Sequence, residues 1–128
     1  MAKKLVFQFY DINRLLCNAY DDLSVEYFFK REDAPVSWAI CPRSGRPFKE
    51  FYEERVFPRT RVDCKRLLMQ LGLNHYDEED IVRASYGLMV DDYNWIRFAD
   101  SDASSYEEAC KLFDEKTKKM DEIIGFNV

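Results

Sequence analysis

The chain lacks the short motifs that usually announce chemistry. It has a single histidine, His75, in the loop LNHYDEED, and neither an HExxH pair nor a cysteine–histidine zinc spacing appears. A lone histidine in such a loop is read as an ordinary loop residue. No GxxxxGK[ST] or GxGxxG stretch occurs, which removes the sequence basis for a phosphate cradle. No serine sits in a GxSxG elbow. The four cysteines, Cys17, Cys41, Cys64 and Cys110, are widely spaced without a CxxC pair. The opening MAKKLVFQFY is too short in apolar residues for a signal peptide, and no segment is apolar enough to cross a bilayer. The expectation is a cytoplasmic, membrane-independent protein with reduced thiols, no metal, no cofactor and no catalytic residues. Cys64 and Cys110 fall on apolar helix faces, where cysteine packs as a small hydrophobe.

Aromatic residues and a polarised charge distribution are present instead. In 128 residues there are ten Phe, eight Tyr and two Trp, and 47% of the chain is hydrophobic. That is enough for one folded domain spanning residues 1–128, with aromatics to spare for a binding surface. The net charge of −5 disfavours a general nucleic-acid binder. Residues 41–66 are net basic and residues 67–108 strongly acidic. An acidic block of this kind either keeps the surface solvated or meets a basic groove on a partner.

Periodicity predicts strands at Leu5–Tyr10 and Leu15–Tyr20, joined by a turn at Asp11–Arg14, then strands at Ser24–Lys30 and Val36–Ile40. Cys41–Pro47 is a loop, and Pro47 opens a helix that carries Phe48, Phe51, Tyr52 and Val56 and stops near Phe57 ahead of Pro58. Thr60 is the expected cap of the next helix, with Cys64, Leu67, Leu68 and Leu71 along its apolar stripe and Gly72 at its end. Asp77 is expected to cap a third helix, with Ile81, Ala84 and Ser85 facing inward and Gly87 ending it. A strand follows at Tyr93–Phe98, with Trp95 and Arg97 on one face and Ile96 and Phe98 on the other. The last helix is capped by Ser104 or Ser105. The fold class is α+β, an antiparallel sheet of four to five strands with about four helices packed on one face.

Two charged groups are candidate partner-binding surfaces. The acidic one is Asp77, Glu78, Glu79, Asp80, Asp91 and Asp92. The run Asp77–Asp80 lacks EF-hand spacing, and a capped, dipole-favoured first turn accounts for it. The basic and aromatic one is Arg55, Arg59, Arg61, Lys65 and Arg66 with Tyr93 and Trp95. Its cations suit three roles: pairing with the acidic block, a protein hot spot, or holding nucleic-acid phosphates. Tyr93, Trp95 and Phe98 suit either core or interface.

The residues Arg55, Pro58, Arg61, Gly87, Leu88, Asp92, Tyr93, Trp95 and Ile96 carry a resemblance. Over residues 48–98 the chain resembles small proteins of phages and mobile elements in Gram-positive bacteria, and a segment that precedes some HipA-like kinases. Asn94 interrupts the pattern between Tyr93 and Trp95, and the kinase body has no counterpart here. The resemblance implies a non-enzymatic accessory module. The leading expectation is an anti-defence, anti-CRISPR-like inhibitor that binds a host nucleic-acid-handling protein, such as a CRISPR effector nuclease, through acidic and aromatic surface. The alternatives are a nucleic-acid-binding regulator using the basic set, and a toxin–antitoxin accessory protein.

Overall fold

A computed structural model describes residues 3–89 and 92–124. The order of elements is β1 (Leu5–Asp11), β2 (Arg14–Tyr20), β3 (Val25–Tyr27), α1 (Ala34–Ile40), α2 (Phe48–Glu53), α3 (Cys64–Gln70), α4 (Glu78–Ser85), β4 (Asn94–Phe98) and α5 (Tyr106–Ile124). The four strands form one antiparallel sheet in the order β3-β2-β1-β4. The α+β class read from the sequence is therefore the observed one.

Alternation along β1 and β4 sends Phe7, Phe9, Ile96 and Phe98 to one face, where they meet Phe51 and Tyr52 of α2 and Val82 of α4. Phe7 stacks on Phe51 with ring centroids 5.6 Å apart. Two irregularities in the β1–β2 register interrupt strict alternation, and the one beside Phe9 and Tyr10 lets the neighbours Leu16 and Cys17 both be buried. The other face holds Tyr10 stacked on Trp95 (5.1 Å), and the start of α5 covers this pair through Tyr106 and Ala109. To helices on one face the structure thus adds α5, which begins on the other face and packs against α3.

Both sheet edges are closed. The loop 41–47 seals β3: Gly45 N donates to Leu23 O (2.7 Å), Val25 N to Ser44 Oγ (3.0 Å), and Tyr27 Oη to Pro42 O (2.6 Å). The outer edge of β4 is closed by the end of α4, since Ile96 N donates to Tyr86 O at 2.8 Å.

Some expected boundaries are corrected. Val36–Ile40 belongs to helix α1, not to a fourth strand. So short an apolar run fits either period, and Pro35 lies in the first helical turn, where its missing N–H leaves no bond unmade. The third strand spans only Val25–Tyr27 rather than reaching Lys30. Pro47 precedes α2 as its cap residue, and α2 ends at Glu53 rather than near Phe57. Thr60 does not cap α3. Residues 58–64 form successive turns, Asp63 takes the cap position, and its carboxylate holds Arg61 (2.7 Å) instead of a helix N–H. The end of α3 is as expected: Gly72, at φ 76°, closes it with Gly72 N on Met69 O and Leu73 N on Leu68 O, the paired bonds of a Schellman motif. Ile81 and Ser85 are buried on α4 together with Val82, whereas Ala84 is only partly so.

Candidate functional site

Helix α4 separates two charged environments. Its eight residues span about 12 Å at 1.5 Å each, so the acidic run at its N-terminus and Asp92 beyond its C-terminus form two sites rather than one patch.

At the C-terminal end, Arg55 is 7% exposed and lies at the centre of a clamp. Nη2 donates to Gly87 O (2.6 Å) and Asn94 O (3.1 Å), Nε to Gly87 O (3.2 Å), and Nη1 to Asp92 Oδ2 (2.7 Å). Asp92 Oδ1 in turn accepts from Asn94 N (3.1 Å). One guanidinium thus joins the segment after α2, the end of α4 and the start of β4. The turn it grips is tight. Tyr86 and Gly87 both adopt left-handed backbone, and a Cβ on Gly87 would lie 2.7 Å from Cγ1 of Ile96. Arg55 and Asp92, both expected to bind a partner, are instead engaged with each other and with the backbone around them, Arg55 being buried and Asp92 partly so. Trp95 is corrected in the same way: it is 1% exposed, and its Nε1 donates to Ile12 O (2.6 Å). Tyr93 is 65% exposed and remains available, with its ring edge-on to Tyr106. Asp91 lies outside the described residues.

At the N-terminal end, the acidic run opens onto a groove. Asp77 caps α4, its Oδ2 accepting from Asp80 N at 3.0 Å, as the sequence indicated. Asp80 pairs with the exposed His75 (3.0 Å), and Glu79 with Arg83 (3.3 Å). Glu78 carries no such pair among the described contacts. Asp77, Glu78 and Glu79 line a groove of about 490 Å³ together with the apolar Val6, Leu23 and Phe48, Tyr52 and one cation, Lys49. Burial, and then the charge of Glu79, push the Tyr52 phenol well above its usual value. Leu23 has a φ of 70°, a conformation that costs a leucine energy; its N–H on Tyr20 O and its carbonyl under Gly45 N hold it there. The sequence reading missed Val6, Leu23, Phe48 and Tyr52 as groove walls. The only local signal was the tight turn Asp21–Asp22, and the residues converge from three distant segments.

The remaining cations of the basic set lie between α2 and α3 and on α3 itself. Arg59 covers the Tyr76 ring (4.9 Å to its centroid), and Arg61 holds Asp63. Lys65 and Arg66 are exposed on α3, and Val62 between these cations is fully exposed. Among the described residues no three His, Cys, Asp or Glu side chains converge on a metal position, and no helix is long and apolar enough to cross a membrane. Cys17 and Cys41 are buried together; their mutual hydrogen bond, and then desolvation, push the Cys17 thiol far up.

No protein-family model matches this chain, and no curated protein or solved structure matches it either.

Proposed function

We propose that this protein is a non-enzymatic binding module whose acid-walled groove takes a basic segment of another protein. The observation that supports this most is the juxtaposition in one groove of three carboxylates, Asp77, Glu78 and Glu79, with the apolar Val6, Leu23 and Phe48. A Lys- or Arg-bearing segment with an apolar neighbour satisfies both halves: the carboxylates attract and orient it, and the apolar walls supply burial. Nucleic acid would be repelled there. Proteins that handle nucleic acid present basic grooves, so the anti-defence inhibitor expected from the resemblance is the specific form of this reading. The reading itself rests on the groove.

The test is affinity capture from a bacterial lysate after nuclease digestion, with wild type and Glu78→Lys/Glu79→Lys in parallel. The expected result is a discrete protein retained by wild type and lost by the double variant. Equal capture by both removes the groove from the account.

A second reading has its own observation, the exposed cluster of Arg59, Arg61, Lys65 and Arg66 around Val62. It makes the chain a nucleic-acid-binding regulator. Retention of DNA or RNA with affinity that falls linearly on a log–log salt plot supports it, and no retention at low salt excludes it.

A further inference from the structure

A second concavity lies on the side of α4 away from the sheet, where α3, α4 and α5 meet the segment 55–61. Its volume is about 340 Å³, within the usual range of about 300–1,000 Å³ for small-molecule pockets. Leu67, Leu71, Ile81 and Phe113 are among its apolar walls. The two hydroxyls that reach it make no demand on a guest. Ser85 Oγ donates to Ile81 O (2.8 Å) and Thr117 Oγ1 to Phe113 O (3.0 Å), so both protons are committed to helix carbonyls.

The charge of the lining differs from that of the whole molecule. In a chain of net charge −5, the ionisable groups among the described lining residues are Arg55 and Arg61, both cationic, with no carboxylate. Arg55 is committed to its clamp. Arg61 is half exposed; Asp63 meets it through Nε (2.7 Å), and a guanidinium carries further N–H donors beyond that one contact. An apolar chamber with a guanidinium at its opening is the complement of a molecule with an apolar body and one negative end.

We propose that this cleft binds a small amphipathic anion, an apolar chain bearing one carboxylate, with the chain against Leu67, Leu71, Ile81 and Phe113 and the carboxylate at Arg61. This site is independent of the acidic groove.

The experiment is calorimetric titration of the full chain with decanoate and, separately, with the uncharged decanol. Decanoate is expected to bind saturably with a Kd below about 1 mM and about tenfold more tightly than decanol, the size of one charge-assisted contact. Arg61→Ala, a surface change, is expected to abolish that preference and leave decanol binding intact. Thr117→Phe, which places a ring in the chamber, is expected to abolish binding of both while the far-ultraviolet spectrum stays native. Glu78→Lys/Glu79→Lys is expected to bind decanoate as wild type does, which separates this test from that of the groove. The proposal is overturned by the absence of saturable decanoate binding, by equal affinity for decanoate and decanol, or by an Arg61→Ala protein that still prefers the carboxylate.

Discussion

The two ends of α4 use their charged side chains in opposite ways. At the C-terminal end, Arg55 and Asp92 are drawn into the fold, and the arginine spends its donors on two backbone carbonyls and one carboxylate. At the N-terminal end, Glu78 and Glu79 stay at the surface beside an apolar groove. A charge whose bonds close a gap between segments serves stability. A charge left facing solvent beside apolar surface is free to serve recognition. The contrast also orders the consequences of substitution.

The largest effect is expected at the clamp. Arg55→Ala removes the donors to Gly87 O and Asn94 O and leaves Asp92 without its cation, costing about 3–5 kcal/mol. That is a large share of the roughly 5–15 kcal/mol available to a domain, and a lowered denaturant midpoint reads it. Gly87→Ala comes next. Its Cβ meets the Ile96 side chain in a left-handed turn, a loss of about 2 kcal/mol in the same measurement. Asp77→Ala removes the α4 cap and one groove carboxylate together, for about 1 kcal/mol. It is the one substitution here expected to lower both stability and capture, because Asp77 belongs to both the helix and the groove.

What was legible in the sequence follows the range of the interactions involved. Asp77 as a cap and Gly72 as a helix end could be read because their partners lie within five residues. The faces of β4 could be read because alternation is local, but the burial of Trp95 depends on Tyr10 and α5. Arg55 looked like a surface cation because its partners lie 32 to 39 residues away and include two backbone carbonyls, groups that no side-chain pattern marks. The helix at Ala34–Ile40 was hidden by an apolar run too short to fix a period. The groove was hidden most completely. Its floor joins β1, the strained turn at Leu23 and α2, and only folding brings these to the acidic run.

A modest effect on stability and the largest on recognition are expected from one protein, Glu78→Lys/Glu79→Lys. Its denaturant midpoint and its capture from nuclease-treated lysate, measured side by side with wild type, separate recognition by the acidic run from a role in the scaffold. The expected result is a stability loss of no more than about 1–2 kcal/mol, from the reversed helix-dipole contacts and the lost Arg83 pair, together with loss of the captured protein. A variant that unfolds more readily yet still captures the same protein would contradict it, and would place the acidic run with the clamp as part of the scaffold.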